Sequence, residues 1–356
     1  MTARLTVDLD ALGANYRRFA LAGRNSGAVV KANAYGLGLS PVAHHLHGLG
    51  CRHFFVATVA EGVDLRRQLS ADDTCIHVFS GPVADTLKEI RHWRLLPVLN
   101  SEAQIALWQH SGGGAADLHV DTGMHRLGVP WDRLDTLDIK AFYPKLVLTH
   151  LACADTPEHP LNERQLTRFQ AALAHFPGVP ASLGGSAALL GSPLQADRNL
   201  VNRPGIGLYG GNPLSTGPNP MRTVATLEGQ ILQLRDVPSG ESVGYGGTHV
   251  CETQTRVATV GIGYADGVPR GLSGRGAYLF HDGVRCPLLG RVSMDLVQVD
   301  VTGTRARPGD WLEIYGHHVS VDEIASLAQT ISYEVFTRIG ARVTRRYETG
   351  GVAAVH

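Results

Sequence analysis

The strongest constraint on this chain is a pattern that repeats through its first 210 residues, where short apolar, β-rich runs alternate with stretches of helical periodicity. Helical segments such as 40–49 and 162–176 separate most of these runs. A parallel (β/α)8 TIM barrel closes with eight strands that alternate with helices, which is the number found here. The eight runs are GAVVK, HFFVAT, CIHVFS, LLPVLN, ADLHVD, KLVLTH, PASLGG and LVNRPGIGLYG.

The pattern changes at about residue 222. Apolar and polar residues then alternate, with Gly, Pro and Asp at the turns, which is typical of antiparallel strands. One helical segment, 321–331, and a last strand near 341–347 complete this part. The sequence therefore predicts an α/β fold in two domains, a barrel over residues 10–221 and a mainly-β C-terminal domain over 222–356. The Pro- and Gly-rich stretch 210–220 joins them.

The charge balance and the cysteines exclude several classes of protein. Lys+Arg and Asp+Glu both total 32, so no basic excess favours a nucleic-acid or membrane-surface partner. Five scattered cysteines without a CxxC pair indicate reduced thiols. The first residues do not resemble a signal peptide, and no apolar run approaches the ~20 residues that span a bilayer. We expect a soluble, cytoplasmic protein.

Polar residues follow the predicted barrel strands, where the chemistry of such barrels is found. The residues at these strand ends are Lys31, Arg126 in the loop that begins at Asp121, His150, Ser186, Arg203 and Gly205. A single lysine or histidine at a strand end is more often structural. Several polar residues at the strand ends of one barrel instead predict a single functional rim.

The last two predicted strands end in GGSA and RPGIG, which offer a hydroxyl and exposed backbone N–H groups. Barrels often bind phosphate with these loops, so Ser186, Gly205 and Ile206 are predicted to hold a phosphate. Lys31 lies across the mouth, where Arg203 and Arg126 would disfavour its charged form. Schiff-base chemistry needs such a lysine. A phosphate, an aldehyde and a lysine together indicate pyridoxal 5'-phosphate.

Two local motifs and the histidines give only weak support for a dinucleotide-binding site, an acid protease or a metal site. GIGLYG at 205–210 matches a dinucleotide fingerprint but precedes a proline-rich loop rather than a helix. DTG at 121–123 occurs in acid proteases but lies here in a strand–helix context. The seventeen histidines show no HExxH or Cys/His metal spacing, so we predict no metal site and interpret them as surface and helix residues.

Seven motifs resemble those of bacterial alanine racemases in order and approximate spacing, and the resemblance extends from about residue 7 to 335. They are VVKANAYGLG, VDTGMHRLG, THLACAD, NRPGIGLYG, SVGYGG, GIGYADGVPR and GRVSMDLVQVD. The resemblance implies the barrel and C-terminal β domain read above, with the N-terminal strand (residues 1–9) joining the latter. It implies racemisation of alanine, a homodimer with shared active sites, and D-alanine biosynthesis for peptidoglycan precursors; the sequence leaves alanine catabolism open.

The resemblance also implies roles for individual residues. Lys31 resembles the lysine that forms the Schiff base and acts as one catalytic base, and Tyr245 the opposing base from the partner subunit. Arg203 resembles the arginine at the pyridine nitrogen, and His150 its neighbour. The remaining cofactor-binding set is Tyr35, Ser186, Gly205, Ile206 and Tyr333. Arg126 and the backbone N–H of Met294 resemble the groups that bind the substrate carboxylate. The substrate access channel is implied to include Asp155, Tyr264, Arg270 and Arg291.

These roles agree with the chemistry of racemisation. A proton must leave one face of Cα and return on the other, so two bases must flank it. Tyrosine titrates near ~10, and matching it to neutral pH takes about three units, roughly 4 kcal/mol of environmental bias. Arg126, Arg203 and His150 are the groups predicted to supply that bias. Arg203 stays protonated and can only donate, which disfavours the protonated pyridine typical of transamination.

One departure from the family pattern concerns the lysine that is carbamylated in many members and braces the carboxylate-binding arginine. His119 stands at that position, and histidine cannot form a stable carbamate. Arg126 must be oriented by His119 itself, a water or an anion, and we predict activity independent of bicarbonate. Gly185, in place of a common asparagine, could loosen the phosphate site.

Other functions remain open from the sequence. A decarboxylase of the same barrel type has a similar lysine motif, but Arg203 and the missing CxSxD-like C-terminal motif disfavour it. A non-catalytic pyridoxal-phosphate carrier is typically a lone barrel. Serine differs from alanine by one hydroxyl, and pockets discriminate weakly against such a change unless built to do so. Racemisation of serine or of a broader set of amino acids is therefore an alternative.

Overall fold

The computed structural model of the chain describes residues 2–20, 25–69, 73–137, 143–191, 200–350 and 352–355. Two large β-sheets organise these residues, one parallel and one mainly antiparallel. The strands are β1 (Ala3–Asp8), β2 (Asn25–Val29), β3 (His53–Val56), β4 (Cys75–Val78), β5 (Leu96–Leu99), β6 (Asp117–Asp121), β7 (Val129–Pro130), β8 (Val147–Leu148), β9 (Ala181–Ser182), β10 (Val201–Asn202), β11 (Ala225–Val237), β12 (Ser242–Val243), β13 (His249–Val250), β14 (Thr255–Val260), β15 (Tyr278–His281), β16 (Val284–Leu289), β17 (Val297–Asp300), β18 (Trp311–Tyr315), β19 (Thr344–Thr349) and β20 (Val352–Val355).

Helices of several lengths connect these strands. The α-helical segments are α1 (Leu9–Phe19), α2 (Lys31–Tyr35), α3 (Leu39–Gly48), α4 (Val59–Gln68), α5 (Leu87–His92), α6 (Glu102–His110), α7 (Pro160–Leu173), α8 (Ser186–Gly191), α9 (Val321–Leu327) and α10 (Ser332–Thr337). Short 3-10 turns occur at Ala84–Thr86, Trp131–Thr136, Ile206–Tyr209, Tyr245–Gly247, Tyr264–Asp266 and Arg270–Leu272. Among the helices of the described residues, none is both long and apolar enough to cross a membrane.

The parallel sheet forms a closed barrel. Its strands follow the order β10–β2–β3–β4–β5–β6–β8–β9, and a parallel bridge between Ala181 and Leu200 joins the two edges. Each of the eight predicted apolar runs supplies one of these strands, which confirms the (β/α)8 barrel. The strands are buried on both faces, as expected for a parallel sheet covered by helices.

Local sequence signals begin the helices that follow the strands. Thr58 and Glu61 form a capping box at α4, in which each side chain accepts the other residue's backbone N–H. Ser101 caps α6 and Asp8 caps α1 in the simpler way, by accepting one backbone N–H. The caps of α4 and α6 start these helices within three residues of the barrel strands β3 and β5, which keeps the connecting loops at the carboxyl end of the barrel short. Asp8 starts α1 directly after β1 of the second sheet.

The second sheet contains the C-terminal strands and the first strand of the chain. Its order is β14–β17–β16–β15–β18–β11–β1–β19–β20, and β14 also pairs with β11. Strand β1 runs antiparallel to β11 and parallel to β19. One continuous hydrophobic cluster extends from this sheet into the barrel and includes Leu5, Leu12, Phe54 and Leu227. The mainly-β fold predicted for the C-terminal part is thereby confirmed.

Candidate active site

A cavity of about 550 Å³ lies at the carboxyl ends of the barrel strands, within the size range of small-molecule sites. Parallel strands bring these ends together on one rim. Nine of the predicted site residues line the cavity: Lys31, Tyr35, Arg126, His150, Ser186, Arg203, Gly205, Ile206 and Tyr333. Asp155 lines a neighbouring pocket that also contains Tyr333. The other predicted residues, Tyr245, Tyr264, Arg270, Arg291 and Met294, do not line either pocket.

Lys31 enters the cavity from an unusual turn. Strand β2 ends two residues before it, and residues 32–35 each have a φ between 52° and 55°, the left-handed region that non-glycine residues rarely adopt. The Glu61 carboxylate holds this turn, because its Oε1 accepts the Ala32 N–H at 2.7 Å. Such a conformation persists only where the surroundings fix it, and it is most often found at functional sites.

The surroundings of Lys31 favour its neutral amine. Burial is the main cause that lowers the pKa of Lys31, Arg126 lowers it further, and Glu61 opposes both. Its Nζ lies 5.9 Å from the centre of the Phe79 ring. The predicted effect of Arg126 on this amine is thereby supported, and the predicted effect of Arg203 stays a prediction.

The predicted phosphate-binding residues converge on Ser186. Its Oγ accepts the backbone N–H groups of Gly205 at 2.9 Å and Gly207 at 3.1 Å. A hydroxyl that accepts two bonds has one proton left to donate, and no described residue accepts it. A Cβ at Gly205 would lie 2.4 Å from the Tyr35 hydroxyl oxygen, so only glycine fits there. The Tyr35 ring is fixed by stacking on Tyr209, with ring centres 4.5 Å apart.

Gly185, which precedes Ser186, also lines the cavity. A Cβ at this position would meet its nearest atom, the Arg203 carbonyl oxygen, only at 4.0 Å. The site therefore has room for a side chain here, and the two N–H bonds to Ser186 form without one.

Arg203 is a buried cation that neutral groups hold in place. Its side chain is 2% exposed, its Nη1 donates to Ser182 Oγ at 2.6 Å, and its Nη2 donates to the Thr149 carbonyl. Burial lowers the pKa of Arg203 to about 9, which still leaves it protonated at neutral pH. His150 Nδ1 lies 3.4 Å from Nη2, and burial together with Arg203 lowers the pKa of His150 to about 3.

His119 and Arg126 do not form the pair that the sequence suggested. His119 Nδ1 lies 2.8 Å from Asn100 Oδ1, and burial followed by Arg203 lowers the pKa of His119 to about 4, so this histidine is neutral. Asn100 is itself fixed by donating to the Phe79 and Val98 carbonyls. Arg126 is exposed, and no described residue forms a hydrogen bond or ion pair with it. Of the three braces considered for Arg126, His119 is therefore not the one used in this chain.

Tyr245 does not line this cavity and lies on the surface of the C-terminal domain. It is 73% exposed and occupies the tip of the β12–β13 hairpin, between glycines. The Arg291 guanidinium lies beside this tip, 3.2 Å from where a Cβ of Gly246 would stand. The loop that follows Arg291 contains Met294, which is 53% exposed and whose carbonyl accepts the Ala265 N–H. We call Tyr245, Tyr264, Arg291 and Met294 the tyrosine surface.

The cavity combines an amine of lowered pKa with hydrogen-bond donors that suit an anion. Its described lining includes the basic residues Lys31, Arg126 and Arg203 but no aspartate or glutamate. A ligand that presents a carbonyl to the amine, an oxyanion to Ser186 and an acceptor to Arg203 would satisfy each of these groups. A buried cation needs such an acceptor, because burial without a partner is costly.

Sequence reasoning missed the residues that support this site. Each of four site residues is held by one such partner. Glu61 fixes the turn of Lys31, and Asn100 fixes His119. Ser182 fixes Arg203, and Tyr209 fixes Tyr35. The pattern Thr58-x-x-Glu61 is a capping-box signature and was a usable signal, whereas the other three have none. The interpretation of the histidines as surface and helix residues is wrong for several of them: His77, His119 and His150 lie on or directly after barrel strands, and His77 and His119 are buried.

Comparison with known proteins agrees with this geometry. The family models for the N-terminal and C-terminal domains of alanine racemase match residues 7–213 and 224–347. An alanine racemase of Rhodospirillum rubrum is 48% identical over 370 aligned positions, covering 99% of this chain and 96% of the relative. A crystal structure of alanine racemase from Bartonella henselae with covalently bound pyridoxal phosphate has a TM-score of 0.89 at 34% identity, covering 98% of this chain and 100% of that one. The biosynthetic alanine racemase of Pseudomonas aeruginosa has a TM-score of 0.88 at 36% identity, with 98% and 99% covered. The chain belongs to the alanine racemase family.

Proposed function

We propose that this protein is a pyridoxal-phosphate-dependent racemase that interconverts L-alanine and D-alanine. The observation that carries the proposal is the cavity itself, where the Lys31 amine of lowered pKa lies with hydrogen-bond donors that suit an anion and with a buried arginine. The described lining residues include no aspartate or glutamate. Membership in the alanine racemase family supports the same activity.

The residues of the cavity fit pyridoxal phosphate. Ser186, Gly205, Ile206, Tyr35 and Tyr333 would hold the phosphate, since the free Ser186 proton and the close backbone approach at Gly205 suit an anion. Arg203 would donate to the ring nitrogen, with His150 beside it. Bound there, the cofactor supplies an aldehyde for the Lys31 amine and a conjugated ring that takes up the electron pair left when the amino acid loses its Cα proton.

Two proton-holding groups on opposite faces would carry out the exchange. Lys31 Nζ removes or returns the proton on one face, and its lowered pKa increases the unprotonated fraction at neutral pH. The phenol of Tyr245 of the partner subunit serves the other face. Arg126 holds the substrate carboxylate together with the backbone N–H of Met294 of the partner subunit.

A homodimer follows from this division of roles. The tyrosine surface exposes two aromatic rings and a methionine, and exposed patches of this kind mark interaction sites. Docking it on the rim of a second copy would place its side chains over that copy's cavity and would complete the substrate access channel, with Asp155, Tyr264, Arg270 and Arg291 along it.

Arg203 separates this function from decarboxylation and from transamination. Its guanidinium donates and does not readily give up its proton, so it keeps an acceptor nitrogen unprotonated. It is held by Ser182 and Thr149, and no described carboxylate pairs with it. The proposed reaction therefore ends with proton return rather than with loss of carbon dioxide.

We further propose that the protein works in the cytoplasm and supplies D-alanine for peptidoglycan precursors. The word biosynthetic in the name of the Pseudomonas aeruginosa relative supports this role. A deletion strain that requires D-alanine for growth would support it, and growth without D-alanine would contradict it.

The test of the activity is incubation of the reconstituted protein with L-alanine and, separately, L-serine. Chiral chromatography follows racemisation, a manometric assay follows carbon dioxide, and visible absorbance follows the bound chromophore. We expect D-alanine to form faster than D-serine, without carbon dioxide. Carbon dioxide release, or a chromophore without racemisation, would replace the proposal by the decarboxylase or the carrier, and faster D-serine formation would change the substrate.

A further inference from the structure

A cluster of metal-binding side chains lies at the other end of the barrel from Lys31. His53 and Cys75 are neighbours at the amino ends of β3 and β4, and Phe55 and His77 are the next neighbours along the same strands. Residues two apart on a strand face the same side, so these four side chains share one face. None of them takes part in the proposed racemisation.

The ligand atoms of three of these residues are close together. His53 Nδ1 lies 3.0 Å from His77 Nε2, and the two nitrogens and the Cys75 sulfur all lie within 4.8 Å of one another. A tetrahedral zinc ion, about 2.0 Å from nitrogen and about 2.3 Å from sulfur, needs ligand separations of roughly 3.3–3.5 Å. The Cys75 side chain would rotate to bring its sulfur to that separation. Stacking on Phe55, at 4.4 Å between ring centres, keeps the His77 ring in place.

A buried carboxylate orients His77 from behind. Asp117 on β6 is 0% exposed, and its Oδ2 lies 2.5 Å from His77 Nδ1. This contact puts the ring proton on Nδ1 and leaves the lone pair of Nε2 directed at His53. Zinc-bound histidines usually donate their other ring N–H to a carboxylate in this way. The second oxygen of Asp117 is also buried, and no described residue forms a hydrogen bond with it.

We propose that His53, Cys75 and His77 bind a zinc ion, with Asp117 as the hydrogen-bond partner that orients His77. Two imidazoles and a thiolate suit zinc, whereas magnesium and calcium take oxygen ligands. Among the described residues this is the one group of three or more such side chains close enough to hold an ion. The proposal departs from the sequence prediction of no metal site, which considered only compact Cys/His motifs.

Charge and protons balance in this site. Binding releases one proton from the Cys75 thiol to solvent, and the proton on His53 Nδ1 moves to Nε2 by tautomerisation. The doubly charged ion then faces one thiolate and the Asp117 carboxylate, so the buried group has no net charge. Without the ion, the Asp117 carboxylate has only His77 as an ion-pair partner among the described residues.

A pocket gives the ion a route to the cluster and a place for a fourth ligand. It has a volume of about 460 Å³ and is lined by Cys75, Thr74, Arg66, His92, Trp93, Arg94 and Leu96. Cys75 is partly exposed, whereas His77 is buried. Three protein ligands and a water from this pocket complete four-coordinate zinc. The ion would join β3 to β4 and, through Asp117, to β6, which stabilises the end of the barrel away from the catalytic rim.

The test uses the full-length, tag-free holoenzyme, stripped with a chelator and titrated with Co²⁺ and then Zn²⁺. We expect one Co²⁺ per chain with the visible bands of tetrahedral cobalt, displacement of Co²⁺ by Zn²⁺, and a higher melting temperature with Zn²⁺. Cys75→Ser should abolish the thiolate-to-cobalt band, and Asp117→Asn should weaken binding about 10–100-fold. Cys153→Ser, which changes a partly exposed cysteine elsewhere, is the matched control and should bind like the wild type.

Two results would overturn the proposal. One is stripped wild-type protein that binds no stoichiometric Co²⁺; the other is Cys75→Ser protein with an unchanged cobalt spectrum. His53→Asn provides a second variant, and the thermal melt of each metal-free variant confirms that it is folded before titration. A folded His53→Asn variant with wild-type affinity would also exclude the site.

Discussion

The two groups proposed to exchange the substrate proton lie in opposite environments. Lys31 stands in a cavity where burial and Arg126 lower its pKa and where Glu61 holds its turn. Tyr245 is 73% exposed at the tip of a hairpin. The residues around Lys31 on the barrel rim thus come from its own chain. Tyr245 on the tyrosine surface is exposed, and only a second chain could surround it. We infer that the first half of the site is preorganised by folding and the second by dimer formation.

The largest effect is expected at Lys31. Lys31→Met removes the amine proposed to react with the cofactor aldehyde and to act as the base on one face, so racemisation should fall by about 10³–10⁴-fold or more. The visible chromophore should be lost with it. Lys88→Met, at an exposed lysine on α5, is the control and should keep both. Turnover by Lys31→Met protein near the wild-type rate would contradict the catalytic role proposed for Lys31 on the barrel rim.

Tyr245→Phe should come next, with a loss of about 10²–10⁴-fold, because one face loses its proton donor and acceptor. The chromophore should remain, since the residue lies outside the cofactor cavity of its own chain. Racemisation should fall in both directions, from L-alanine and from D-alanine. A chromophore lost with this variant would mean that Tyr245 supports the cofactor rather than the proton transfer.

Mixing the two inactive variants tests whether the tyrosine comes from the partner. A heterodimer of Lys31→Met and Tyr245→Phe chains has one site with both groups intact, so random exchange of subunits should restore about a quarter of wild-type activity. Each variant alone stays inactive under the same exchange conditions. Failure to restore activity, in a mixture shown to contain heterodimers, would place Lys31 and Tyr245 in the same chain's site.

The sequence could predict the rim because strand ends are marked by apolar runs. Lys31, Ser186 and Arg203 each follow such a run and therefore meet on one rim. The sequence could not predict the left-handed turn at 32–35, because four non-glycine residues there contradict local preference and depend on Glu61 from the first turn of α4.

Contacts between side chains of different barrel strands were also beyond the sequence. The links from Asn100 to His119 and from Asp117 to His77 join residues on or beside strands that are far apart in the chain. Periodicity indicates that a residue is on a strand, but it does not indicate which side chain lies opposite. The cluster of His53, Cys75 and His77 was missed for the same reason.

Ser182→Ala tests how far the rim is preorganised. It removes the acceptor of Arg203 Nη1 and leaves part of a buried cation without a partner, which should lower the free energy of unfolding by about 1–3 kcal/mol. Ser239→Ala is the control, because that exposed hydroxyl donates only to the Glu252 carbonyl, and its effect should stay within about 0.5 kcal/mol. Thermal or chemical denaturation measures both; equal effects would mean that Ser182 contributes nothing specific to Arg203.

The pH dependence of stability tests the neutral histidines of the rim. The folded pKa values are about 3 for His150 and about 4 for His119, below the unfolded value near 6.5. Between these limits the unfolded chain binds protons that the folded chain does not, so stability is full above pH ~6.5 and falls on acidification, by up to about 1.4 kcal/mol per pH unit for each histidine. His119→Gln should make this fall shallower, as measured by melting curves from pH 7 to 4.5. An unchanged slope would mean that His119 is protonated in the fold.

Arg126 is the exception on the rim, because it is exposed and no described residue forms a hydrogen bond or ion pair with it. The bicarbonate test of Arg126 gives the smallest expected effect. His119 has no amine to form a carbamate, so kcat/KM for alanine should be the same in carbon-dioxide-depleted buffer and with added bicarbonate. His119→Lys introduces an amine at that position and serves as the comparison; its rate should rise with bicarbonate if the lysine forms the brace that Arg126 lacks. A bicarbonate response of the wild-type protein would show that another group near Arg126 is carbamylated. The orientation of Arg126 on the rim would then depend on a small molecule, just as the tyrosine surface depends on a second chain.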